Sequence, residues 1–209
     1  VHFELTAPDA RTDVDETGIT LSWQVVVPPR ATVAVEWVVR LHDPALVVTA
    51  APAVAWEPPA DTGPDPRLAR WLRTALGDLA ALRLALPDRP DDVFLAAGAP
   101  WFLTLFGRDS LWAARMMLPV DAGLAASTLR VLARLQGVRD DPATEEEPGK
   151  IPHELRSATL EMPGEGIVLP PLYYGTVDAT ALWVCLLAET ADAGMPDAEV
   201  RELLPALRG

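Results

Sequence analysis

Three stretches of this 209-residue chain gather residue types able to carry chemistry. The first, residues 97–112 (AGAPWFLTLFGRDSLW), sets Trp101, Phe102, Phe106 and Trp112 around Arg108 and Asp109. Aromatic rings beside a guanidinium and a carboxylate suit a sugar, whose apolar C–H face stacks on a ring while its hydroxyls bond the charged groups. The same residues also suit a core-forming turn in which Arg108 and Asp109 cap a helix, the reading that spacing alone favours. The second stretch, residues 145–156 (EEEPGKIPHELR), interleaves Lys150, His153, Glu154 and Arg156 with Pro and Ile, the pattern of an ordered loop rather than a solvated charge run. It is not a zinc-protease helix, because Ser157 stands four residues after His153. It is not a phosphate loop either, because Gly149-Lys150 lacks the preceding glycine and the following Ser or Thr.

The third stretch, residues 173–183 (YYGTVDATALW), puts Asp178 at the start of a strongly apolar helix and behind two tyrosines. An N-terminal helix carboxylate is one reading of Asp178, and a general acid is the other. A helix N-terminus favours the ionised form of a carboxylate, whereas a general acid must hold its proton near neutrality. Desolvation by Tyr173, Tyr174 and Trp183, or a neighbouring carboxylate, would have to supply that. Asp109, adjacent to Arg108, is the poorer acid and suits hydroxyl binding.

These stretches need elements to position them. Ile19, Leu21, Trp23, Val25 and Val27 alternate with polar residues, and Val33, Val35, Trp37, Val39 and Leu41 repeat the pattern after Pro28-Pro29-Arg30. Period-2 alternation predicts two strands of a hairpin within a larger sheet. Residues 52–66, rich in Pro, Gly and Asp, read as a linker. Beyond it Leu68, Leu72, Leu76, Leu79 and Leu82 stripe one helix, and a second runs from about Ser110 to Leu118. A third is N-capped by Asp121 and closed by Gly137 as a C′ glycine. Residues 138–175 form a long irregular region, the kind of loop that is usually functional or disordered. A helix over 179–191 is apolar all round and predicts burial on every side, Cys185 included. A short amphipathic helix over 197–208 follows.

Composition narrows the function classes. Seventeen Lys and Arg against thirty Asp and Glu give a net charge of −13, which argues against nucleic-acid binding. The single cysteine excludes a disulfide framework and a Cys-based metal site. No apolar run has the roughly 18 residues that a membrane span needs, and no signal peptide is visible, so a cytoplasmic protein is expected. The start on Val1 and the stop at Gly209 read as cuts from a longer chain.

Taken together, the three stretches resemble the amylo-α-1,6-glucosidase (glycogen debranching) family and its relatives among inverting (α/α)6-barrel glycosidases, trehalases included. The likeness covers roughly residues 66–190 and is specific as a set. It implies an α+β chain: residues 1–51 as the end of an N-terminal β-sandwich, 52–66 as linker and 67–209 as the first helices of an (α/α)6 barrel. It implies Asp178 as the general acid that protonates the glycosidic oxygen. Arg108, Asp109, Trp101 and Phe102 would hold the sugar, with Lys150, His153 and Glu154 lining the pocket and Tyr174 in the same substrate-binding set. The implied substrate is an α-glucan, opened at α-1,6 branch points, with no cofactor or metal. Trehalose or a glycosylglycerate on the same scaffold, a phosphorylase, and a glycan-binding protein without catalysis are the alternatives. An inverting hydrolase needs a second carboxylate roughly 6.5–9.5 Å from the acid. No segment here matches that base, so the chain alone is expected to be inactive.

Overall fold

The structure, a computed structural model, describes residues 2–58, 60, 63–162, 164 and 166–208. Residues 59, 61 and 62 of the expected linker, residues 163 and 165 of the expected long loop, and both terminal residues lie outside the described residues. The chain divides into two compact units, Val1–Ala45 and Leu46–Gly209.

The first unit holds four strands: β1 (His2–Thr6), β2 (Arg11–Asp15), β3 (Gly18–Ser22) and β4 (Val38–His42). The alternating run that starts at Ile19 does not pair with the run after Pro29. Instead β3 pairs with β2, and β4 pairs with β1, both antiparallel. The cause is local. The Asp15 carboxylate accepts hydrogen bonds from the Thr17 N–H (2.7 Å), the Thr17 hydroxyl (2.5 Å) and the Gly18 N–H (3.1 Å), which fixes a tight reversal ahead of β3. Pro28 and Pro29 lack N–H donors, and residues 23–37 carry no strand. The result is two separate two-stranded ladders, not the edge of a two-sheet sandwich.

The second unit opens with β5 (Thr49–Ala50), α1 (Pro66–Ala81), β6 (Arg83–Leu86) and β7 (Arg89–Leu95). Helix α1 starts where Asp65 accepts from the Arg67 N–H (2.9 Å), with Pro66 in the first turn, where its missing donor costs nothing. Strands β5, β6 and β7 form a three-stranded antiparallel sheet in that order. The β6–β7 hairpin escapes the sequence pattern because β6 (RLAL) is short and β7 (RPDDVFL) is apolar only over its last three residues, so neither alternates. Helices α2 (Gly107–Met117) and α3 (Ala122–Arg134) follow, with α3 N-capped by Asp121 through the Leu124 N–H (3.2 Å). Four short strands, β8 (Glu154–Leu155), β9 (Leu160–Met162), β10 (Ile167–Leu169) and β11 (Leu172–Tyr173), punctuate the expected irregular region. Helices α4 (Ala179–Asp192) and α5 (Asp197–Arg208) end the described chain.

These elements correct the expected α+β architecture of a sandwich edge followed by barrel helices. The unit is a mixed arrangement of five helices with small antiparallel sheets, and the described residues close no barrel. Helix α3 packs on β7 as well as on α2 and α4. The core joins Phe94 of β7 to Leu111 and Ala114 of α2, Leu129 and Leu132 of α3, and Trp183 of α4. Arg130 of α3 bonds both Asp92 of β7 (2.6 Å) and Glu199 of α5 (2.8 Å), and Arg115 of α2 bonds Glu189 of α4 (2.7 Å).

Two further expectations change. Helix α4 buries only Ala179, Trp183, Leu186, Leu187 and Thr190, while Ala181, Val184, Cys185 and Ala188 are exposed. Its composition is apolar all round, but α2 and α3 cover only one side. Gly137 is not a left-handed C′ glycine. Its N–H donates to the Lys150 carbonyl (2.8 Å), and its carbonyl accepts from the Gly149 N–H (2.9 Å), so it docks the end of α3 on the following loop. No helix among the described residues is long and apolar enough to cross a membrane.

Candidate functional site

The three chemically rich stretches meet through their backbones. The Leu155 N–H donates to the Leu105 carbonyl (3.0 Å), the Gly107 N–H to the His153 carbonyl (2.8 Å), and Phe106 forms an antiparallel bridge with Glu154. On the other edge β8 pairs with β11, and the His153 N–H donates to the Tyr173 carbonyl (2.7 Å). Residues 153–155 therefore lie between the end of the first stretch and the start of the third. From this ladder the chain runs into α2 at Gly107 and into α4 after Asp178.

Gly107 is required at the first junction. A Cβ there would overlap the backbone carbonyl oxygen of Pro152, with the Ala179 Cβ 3.5 Å away. That close approach sets Arg108 and Asp109, both exposed in the first turn of α2, beside the start of α4. The Arg108 guanidinium lies 3.8 Å from an Asp178 carboxylate oxygen. Arg108 therefore faces Asp178 across the helices rather than Asp109 along its own.

Asp178 occupies the N-cap position of α4, yet its side chain makes no cap hydrogen bond. Its Oδ1 accepts from the Thr176 hydroxyl (2.9 Å) and its Oδ2 faces Arg108. The side chain is 40% exposed, so both groups act on a carboxylate that solvent can reach. Nothing in the sequence singles out Thr176 beyond its place two residues ahead of Asp178.

An aromatic file runs beside this pair. Phe102 meets Phe106 edge to face (centroids 5.7 Å), Phe106 meets His153 (5.7 Å), and His153 meets Tyr173 (5.9 Å). Phe102, at the start of the file, is 50% exposed, and its chain neighbour Trp101 is 80% exposed. Lys150 is tied down, its ammonium donating to the Glu145 carbonyl (2.9 Å) and pairing with Glu147 (3.5 Å).

Two members of the expected sugar-binding set are inside the protein. Glu154 is 2% exposed and holds Arg156 through Oε2 (2.7 Å to Nη2), with Arg156 lying 5.6 Å over the Phe106 ring. Its Oε1 is buried and has no hydrogen-bond partner among the described residues. Tyr174 is 3% exposed, and its hydroxyl donates to the Leu135 carbonyl (2.8 Å). Burial pushes the Tyr174 phenol from its ordinary 10.0 up to about 12, with the Glu146 carboxylate adding to the rise and Arg139 opposing it. The folded state thus holds this proton more tightly than the unfolded chain. The resulting stability is complete below pH 10 and is lost as pH rises through about 12. The loss should amount to about 2 kcal/mol, read as a falling urea midpoint between pH 9 and pH 11.5, and Tyr174→Phe should remove most of it.

Among the described residues no group of three or more His, Cys, Asp or Glu side chains is arranged to hold a metal ion. No protein-family model matches the chain, and no curated protein matches it significantly.

Proposed function

We propose that this site binds an α-glucan and that Asp178 serves as the general acid of an inverting glycoside hydrolysis, with α-1,6 branch points as the bond attacked. The observation that carries the reading is the state of Asp178. It stands where a carboxylate would cap α4, makes no cap bond, and is held instead by Thr176 and Arg108 beside an exposed aromatic wall. A sugar seated on Trp101 and Phe102 would present its hydroxyls to Asp109 and Arg108. Arg108 must then pass from Asp178 to the sugar, and Asp178 must take up a proton from water before it can give one to the glycosidic oxygen as the C–O bond breaks. Water attacks the opposite face of the anomeric carbon and loses its proton to a second carboxylate, for which this chain offers no matched segment.

The Arg108–Asp178 ion pair also supports a second reading, a glycan-binding site without cleavage, because a cation beside the carboxylate suits hydroxyl recognition. Tryptophan fluorescence titration with panose, trehalose and glucosylglycerate, together with a glucose-release assay, separates the two. Panose should bind, and Asp109→Ala should weaken it at least tenfold. Asp178→Asn should leave binding within about threefold while abolishing any glucose release. Failure of all three sugars to bind at millimolar concentration rules out both readings. Undiminished glucose release in Asp178→Asn rules out the acid assignment. Because the chain offers no matched base, binding without release fits both readings. Release restored by added formate as an external base, and absent in Asp178→Asn, favours the first. No release even with formate favours the second.

A further inference from the structure

We propose that Glu145 is a positioning residue for the chain segment that carries Asp178, acting through Tyr173; this rests on the sugar-site reading above. The Tyr173 hydroxyl donates to Glu145 Oε1 (2.9 Å). The Tyr173 phenol ring lies directly on Gly175, where any Cβ would overlap it, so only glycine lets the ring cover the backbone three residues ahead of Asp178. On the other side, His153 meets the same ring edge to face. Tyr173 is thus a strut between the loop holding Lys150 and His153 and the segment Gly175–Asp178.

Glu145 is built to hold that strut. It is a non-glycine residue at φ 56°, a left-handed conformation that surrounding contacts must enforce. The contacts are present. Before it, the Thr144 carbonyl accepts from the Tyr174 N–H (2.9 Å), and after it, the buried Glu146 carboxylate accepts from the Val138 N–H (2.9 Å). Its own carbonyl takes the Lys150 ammonium (2.9 Å). One residue therefore fixes both the phenol that overlies Gly175 and the lysine of the adjoining loop. The bond to Glu145, then burial, then the charges of Glu145 and Glu154 hold the Tyr173 phenol above its ordinary range, which supplies a direct signature of the contact.

The decisive variants are Glu145→Gly and Glu145→Gln. Glycine adopts φ 56° without strain, so the carboxylate is removed while the fold is kept. Glutamine retains an acceptor for the phenol. In Glu145→Gly the Tyr173 titration, followed by NMR and assigned with Tyr173→Phe, should fall toward its ordinary value. Panose affinity should drop about tenfold, and the amides of Gly175–Asp178 should exchange faster. Glu145→Gln should keep panose affinity within about twofold. Unchanged panose affinity in Glu145→Gly would overturn the proposal, whatever the phenol does. If the unsubstituted protein binds no panose, the sugar-site reading fails separately, and unchanged amide exchange over Gly175–Asp178 in Glu145→Gly then overturns the strut by itself.

Discussion

Replacing Trp183 by alanine is expected to lower the unfolding free energy by about 3–5 kcal/mol, the range for truncating a fully buried aromatic side chain. Trp183 is 1% exposed in the core shared by α2, α3 and α4, and its indole N–H donates to the Leu129 carbonyl of α3 (3.0 Å). Truncation removes both the apolar surface and the donor that ties α4 to α3. Trp183→Phe should cost less, because much of the volume is kept while the hydrogen bond is lost. Chemical denaturation followed by circular dichroism measures both. A loss below about 1 kcal/mol for Trp183→Ala would mean that α4 is not docked as described. The site depends on the same docking, since Asp178 sits on the cap of α4 and Arg108 on the first turn of α2.

Gly107→Ala is expected to cost about 1–3 kcal/mol and to weaken panose binding at least tenfold. Alanine in a helix normally favours stability over glycine by about 0.5–1 kcal/mol, so helix propensity alone predicts the opposite sign. The clash decides, because the new methyl would overlap the Pro152 carbonyl oxygen, a backbone atom that no side-chain rotation can move aside. Relief requires parting α2 from the loop, and with it Arg108 from Asp178. Gly77→Ala is the control. Gly77 lies inside α1, and a methyl group added there would have nothing within 4 Å, so the propensity gain should appear unopposed. Thermal denaturation of the two variants should therefore move in opposite directions. A Gly107→Ala protein as stable as its parent would refute the close approach.

Local signals are legible where the physical cause is local. Asp121 as an N-cap and the helical stripes of α1 and α3 follow from capping and periodicity within a few residues. The three chemically rich stretches stand out for the same reason, as residue types clustered along the chain. Pairing is another matter. The alternation of Ile19–Val27 and Val33–Leu41 reads as a hairpin, but the Asp15–Gly18 turn gives β3 a nearer partner, and β4 pairs with β1 instead. A period-2 pattern marks where a strand can form without naming its neighbour, and only 19–22 and 38–41 of the two runs are strand.

The same division runs through the site. By itself the sequence determined which side chains were available: Arg108, Asp109, Lys150, His153, Asp178 and the aromatic residues around them. Tertiary structure decided which of them meet. It turned Arg108 to Asp178 rather than to Asp109, drew Glu154 and Tyr174 into the interior, and tied Glu145 to Tyr173. It also left one apolar face of α4, Cys185 included, open to solvent. Burial and partnership depend on what packs from elsewhere in the chain, over separations such as the 70 positions between Arg108 and Asp178, and no local pattern encodes a contact made across that distance.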